Sequence, residues 1–177
     1  SRCSISSPAA ASPWNGPDGD FVVTHAAPLE LWSETIIPDW IDYNGHMNVA
    51  YYTLVFDHAV DAFWAYLGLD QRYRADTGGS TFAVEHHITY NQEVVEGDRV
   101  RCTSRLIGFD EKRLYHYHEM FHATDGYLAA TCEFLSLHVD LNLRKVTPLP
   151  ETIRATLGEV LAAHQALPPS ENVGRVM

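Results

Sequence analysis

The stretch PDWIDYNGHMNVAYY, residues 38–52, holds the residues best equipped for chemistry. It sets a carboxylate, Asp42, in a polar turn just ahead of Gly45 and of a long helical pattern. The first turn of a helix presents unpaired backbone N–H groups and a partial positive charge. Such groups, around Asn48 and Val49, suit a carbonyl oxygen that acquires negative charge. Gly45 lets the backbone turn sharply and a substrate approach closely. A base or nucleophile beside an oxyanion site is the minimum equipment for acyl transfer. The same residues also serve a second, inert purpose: Asp42 and Asn44 can shape a turn and cap a helix with no chemistry at all.

Two other motifs resemble sites and are weaker. HEMFH, at 118–122, matches the zinc-protease pattern, which needs both histidines on one helical face. Its surroundings alternate as a strand does. Leu114, His116, His118, Met120 and His122 then share one face, and Glu119 points away from them. No metal site is expected. GxSxG does not occur, which argues against a serine hydrolase of the α/β type.

The elements that must hold Asp42 follow from patterning. From Val49 to about Leu67, apolar Tyr52, Val55, Phe56, Ala59, Phe63 and Tyr66 recur at helical spacing, with Thr53, Asp57 and Asp61 on the opposite, solvated face. Asn48 is the expected N-cap and Gly68 the expected stop. Residues 29–37 read as a strand ended by Pro38. After the Gly-rich stretch 77–80, four long β segments follow, separated by turn residues, and imply an antiparallel meander. A last helical pattern follows Pro148 and Pro150. A long amphipathic helix needs a partner of its own size, and only the sheet qualifies. Residues 1–27, rich in Ser, Pro, Ala and Gly, read as a tail or arm, and 28–177 as one domain.

Composition narrows the class. With 177 residues, 46% hydrophobic and 20% charged, the chain suits a single globular domain. A net charge of −11 argues against nucleic acid as a partner. No window approaches the roughly 20 apolar residues that span a bilayer. Three cysteines without metal spacing read as free thiols in a reducing cytoplasm.

DYNGHMNVAYY closely resembles the Asp-x-x-Gly-His-[Val/Met]-Asn motif of the 4-hydroxybenzoyl-CoA thioesterase branch of hotdog enzymes. The likeness continues through VFDHAVDAF and VEHHITYNQEVVEGDRV and covers about residues 29–140. DEKRLYHYHEMFHATDGYLAATCEFLSLHVDL and ALPPSENVGRVM are more narrowly similar to betainyl-CoA thioesterases, which release glycine betaine from its CoA ester. The resemblance implies an α+β hotdog fold, with a long central helix wrapped by a curved five-stranded antiparallel sheet and a short C-terminal helix. It implies an acyl-CoA thioesterase, with betainyl-CoA as the leading substrate. The alternatives are another short or aromatic acyl-CoA, or a non-catalytic acyl-CoA-binding module. Asp42 falls on the catalytic aspartate, as general base or nucleophile, and the Val49 N–H on the oxyanion donor. Asn44, Gly45, His46 and Asn48 occupy loop-shaping and helix-start positions. No cofactor is implied beyond coenzyme A as part of substrate and product. The implied assembly is a homodimer with each active site at the subunit boundary, often paired further into a tetramer.

For a trimethylammonium acyl group, Tyr52, Trp64, Tyr66 and Glu85 are candidate pocket residues, because aromatic faces and a carboxylate attract a cation. Aromatics on helix faces are also ordinary core residues. CoA phosphates would need local basic groups, and the clusters available are Arg99, Arg101 and Arg105, and Lys112 with Arg113.

Overall fold

The computed structural model describes residues 24–174. Strand β1 (Leu29–Thr35) leads through a 3₁₀ turn at Pro38–Trp40 into helix α1 (Val49–Tyr66). A short helix α2 (Gln71–Thr77) precedes strands β2 (Gly79–Tyr90), β3 (Arg99–Phe109), β4 (Arg113–His122) and β5 (Leu128–Asp140). A two-residue strand β6 (Lys145–Val146) and helix α3 (Glu151–Gln165) complete the order. All pairings are antiparallel, and the main sheet runs β1-β3-β4-β5-β2, with β6 on β5.

Helix α1 forms where its sequence periodicity predicts. Asn48 caps it by accepting the Ala50 N–H at 3.0 Å, and Gly68 turns the chain away with φ +80°. Its buried stripe is Tyr52, Val55, Phe56, Ala59, Val60, Phe63 and Trp64. Tyr66, expected within that stripe, lies at its margin instead. It is exposed and accepts or donates a 2.6 Å hydrogen bond with His25 Nδ1. The stripe packs against β1, β3 and β4, so one continuous core holds the helix and sheet together.

Three features differ from the sequence reading. The β segments are not one simple meander: β3, β4 and β5 follow as hairpins, but β2 pairs with β5 at the far edge. The eight residues 91–98 are long enough to cross between strands, and buried Val94 pins them to the core. The sheet has a sixth strand, β6, too short to leave a sequence signal. Helix α2 lies in a segment too polar to announce itself, held by its Asp70 cap, whose carboxylate accepts the Tyr73 N–H. The C-terminal helix is 15 residues long and docks on β3, with His164 Nδ1 accepting the Leu106 N–H at 2.8 Å. Of the arm expected over 1–27, residues 1–23 and with them Cys3 lie outside the described residues.

Candidate active site

The loop between the 3₁₀ turn and α1 is built as a small closed hairpin. Ile41 and Met47 form an isolated antiparallel bridge. Inside it the Asp42 N–H donates to the His46 carbonyl at 3.1 Å, and the Gly45 N–H donates to the Asp42 carbonyl at 3.0 Å. The Asn44 N–H donates to Asp42 Oδ1 at 2.8 Å, the local bond that Asp favours in turns. Gly45 takes φ +87°, a conformation that side-chain-bearing residues adopt only at a cost.

Two anchors fix this hairpin to the molecule. Met47 is buried, and its N–H donates to the Val94 carbonyl at 2.9 Å. The Asn48 N–H donates to the Trp40 carbonyl at 2.9 Å, while the Trp40 ring stacks on Tyr51 with centroids 5.5 Å apart. His46 Nε2 lies 3.9 Å from Glu93 Oε2. Tyr43 and Asn44 form the exposed tip; Asp42 itself is half-buried.

At the helix start the orphan donors are unequally satisfied. The Ala50 N–H goes to the Asn48 side chain and the Tyr51 N–H to the Asn48 carbonyl at 3.0 Å. The Val49 N–H finds no acceptor among the described residues, and Val49 is exposed. It borders a depression of about 200 Å³ shared with His46, Met47, Tyr52, Tyr90 and Glu93. Tyr52 and Tyr90 form its aromatic side, with ring centroids 5.1 Å apart at 82°. This leaves an unpaired N–H at the helix start and, in the preceding loop, a carboxylate with one oxygen not used by the loop, two of the groups that acyl transfer employs.

Of the residues singled out from sequence, Asp42, Asn44, Gly45, His46, Asn48, Val49 and Tyr52 gather at this end of α1. Trp64 and Tyr66 do not. Fifteen residues of helix separate Val49 from Trp64, about 22 Å of axial rise. Trp64 packs edge-on against His116, with centroids 4.8 Å apart. Glu85 is exposed on β2, next to the bulge between Ala83 and Glu85.

The basic clusters proposed for CoA phosphates are mostly occupied. Arg99 donates to Ser33, Arg101 pairs with Glu30 and covers the Phe121 ring, Arg105 donates to the Leu167 and Pro168 carbonyls, and Arg113 pairs with Asp110. The HEMFH segment lies on strand β4. His116 and His118 are fully buried there and hydrogen-bonded to each other at 2.7 Å, while Glu119 faces Thr103 and Tyr117. Among the described residues no group of three or more His, Cys, Asp or Glu is set to hold a metal.

Comparison with known proteins identifies the family. The model of the thioesterase-like superfamily matches residues 36–157. A betainyl-CoA thioesterase of Pseudomonas aeruginosa is 39% identical over 149 residues, 84% of this chain and 94% of that protein. An L-carnitine dehydrogenase/betainyl-CoA thioesterase of Agrobacterium fabrum is 37% identical over 78% of this chain, which spans only 28% of that relative's length. Among solved structures, a putative thioesterase of Pseudomonas putida KT2440 superposes with a TM-score of 0.75 at 32% identity, covering 86% of this chain and 97% of its own. A Staphylococcus aureus protein solved in complex with CoA shares the fold, with a TM-score of 0.79 at 24% identity over 88% of this chain and 98% of its own.

Proposed function

The chain belongs to the thioesterase-like superfamily and is an acyl-CoA thioester hydrolase, and we propose that its substrate is betainyl-CoA, cleaved to glycine betaine and coenzyme A. The observation that carries the substrate reading is the 39% identity to a betainyl-CoA thioesterase along nearly the whole of that enzyme.

Asp42 is the catalytic carboxylate of this reading. Its Oδ1 holds the loop through Asn44, which leaves Oδ2 for the reaction. As a base, Oδ2 takes a proton from water while the water oxygen bonds to the thioester carbon. The carbonyl electron pair moves onto oxygen, where the Val49 N–H and the helix start offset the new charge. The pair then returns, the C–S bond breaks and the CoA thiolate departs. As a nucleophile, the same oxygen bonds to the carbon first, the C–S bond breaks with departure of the CoA thiolate, and water then cleaves the resulting anhydride to the free acid and the Asp42 carboxylate. Both routes use one geometry. Asn44, Gly45, His46 and Asn48 keep that geometry, and Tyr52 lines the approach. The reaction calls for no cofactor beyond the CoA carried by the substrate.

The working unit of this reading is a homodimer joined along β2. That strand ends the sheet on one side, opposite β1, and exposes Phe82, Val84 and Tyr90 at 52%, 53% and 52%. An apolar edge of this length normally finds a partner. Pairing of two dimers into a tetramer belongs to the same proposal. No helix among the described residues is long and apolar enough to cross a membrane. The buried free thiols Cys102 and Cys132 support a cytoplasmic site of action.

The test is release of free CoA from a panel of thioesters: betainyl, acetyl, isobutyryl and 4-hydroxybenzoyl. The expected profile has betainyl-CoA foremost. Best turnover of another ester would replace the substrate, and binding without release from any ester would remove the betainyl-CoA assignment along with the catalytic role of Asp42.

A further inference from the structure

A second, larger hollow takes no part in the reaction geometry of a single protomer. It encloses about 570 Å³ between the second half of α1 and the first half of β2. Asp57, Asp61 and Trp64 line its helix wall, Ser80 and Ala83 its strand wall, and Ser136 of β5 its floor. The spacing of four and then three residues puts the two aspartates and the tryptophan on one strip of the helix. Periodicity assigned both aspartates to the solvated face. They are exposed, but they face a concave wall rather than open water.

The lining is unbalanced in charge and in hydrogen bonding. Neither aspartate forms an ion pair with a Lys or Arg among the described residues. Arg74 also borders the hollow, yet it lies equally on a separate recess beyond α2. Burial first, and then repulsion from Asp57, pushes the Asp61 carboxyl above its ordinary range, with His58 acting the other way. Trp64 is only 7% exposed, and its indole N–H has no acceptor among the described residues. The carboxylate pair thus has no Lys or Arg ion-pair partner among the described residues, and Trp64 supplies aromatic surface to the same wall. Ser136 is held rigidly, its Oγ 3.1 Å from His116 Nε2.

The hollow's place along the sheet edge gives it a use. Helix α1 and strand β2 run side by side in opposite senses: Tyr90, ending β2, meets Tyr52 near the helix start, while Ser80, starting β2, lies across from Trp64. If two β2 edges pair antiparallel about a two-fold axis, the Gly79 end of one meets the Tyr90 end of the other. Each hollow then lies beside the partner's Asp42 and Val49.

We infer that this hollow receives the acyl end of the thioester cleaved by the partner's Asp42, and that Asp57, Asp61 and Trp64 select an acyl group bearing a fixed positive charge. The inference rests on the hydrolase and dimer reading above. A quaternary ammonium donates no hydrogen bond, so a site can distinguish it from a neutral group of the same shape only by carboxylates nearby and aromatic surface against it. Tyr66 and Glu85 drop out of the proposed box, since neither borders the hollow.

The test compares betainyl-CoA with 3,3-dimethylbutyryl-CoA, in which carbon replaces the ammonium nitrogen. The wild-type dimer is expected to favour the cationic ester. In Asp57→Asn/Asp61→Asn, KM for betainyl-CoA should rise roughly tenfold or more, and KM for the neutral ester should stay level or fall, with kcat for both retained. Asp61→Glu should keep the preference. These side chains are exposed, and a thermal melt confirms that the variants are folded. Parallel changes for both esters in a folded variant, or equal wild-type efficiency on the two, would overturn the inference and leave the hydrolase standing. Wild-type protein that cleaves neither ester would overturn both.

Discussion

Asp42 spends one carboxylate oxygen on its own loop and keeps the other free, so its replacement can separate architecture from chemistry. In Asp42→Asn the amide oxygen still accepts the Asn44 N–H, and the hairpin closed by Ile41 and Met47 keeps its remaining bonds. The fold should therefore survive, while turnover falls about 10²–10⁴-fold, the usual size of a general-base contribution. Thiol release measured beside a thermal melt checks both halves. Full turnover in the folded variant would take Asp42 out of the reaction. The assay itself is safe from the two described cysteines. Burial pushes the Cys102 thiol up to about 12 and the Cys132 thiol up as well, so neither supplies the thiolate that a colour reagent needs.

At the scale of elements, strands β3, β4 and β5 are tied by a buried polar chain. Ser104 Oγ lies 2.9 Å from His118 Nδ1, His118 Nε2 2.7 Å from His116 Nδ1, and His116 Nε2 3.1 Å from Ser136 Oγ. A neutral imidazole has one donor and one acceptor, so two neutral rings close the chain when their N–H groups point the same way. Burial lowers His118 to about 3 and lowers His116 well below its ordinary value, with mutual repulsion adding to the latter. An unfolded histidine takes its proton near pH 6.5, whereas these rings remain neutral while folded. Unfolding below pH 6.5 therefore binds protons. Their contribution to stability is complete above that pH and drains as pH falls toward the folded values. His164, lowered mainly by burial, acts in the same direction. Urea unfolding should show stability falling by roughly 2–4 kcal/mol between pH 6.5 and 5. A flat profile would mean that the rings are not held neutral.

For the whole molecule, the proposed pairing of β2 edges makes each site depend on its partner. Val84 sits at the β2 bulge with its side chain exposed. A lysine there leaves the protomer's core untouched and sets like charges against each other across a two-fold edge. Val84→Lys should run as a monomer in analytical ultracentrifugation and lose roughly a hundredfold in turnover, because Asp42 would no longer face a closed acyl pocket. A fully active monomer would refute the shared site.

The long helix and its Asn48 cap, the Gly68 stop, the strand assignment of HEMFH and the Asp42 loop were all legible in the sequence, because each is set by residues within a few positions of one another. The order of strands was not. β2 lies beside β5 and not β3 because of where residues 91–98 cross and what Val94 and Met47 bury there, which is a contest between distant segments. The same contest separated the pocket candidates. Tyr52 shares a wall with Val49, and Tyr66 falls outside the core stripe. Asp57 and Asp61, read as solvated, turn out to border a hollow. Periodicity tells which face of a helix a residue occupies, but only the packed sheet decides whether that face meets water, core or a cavity.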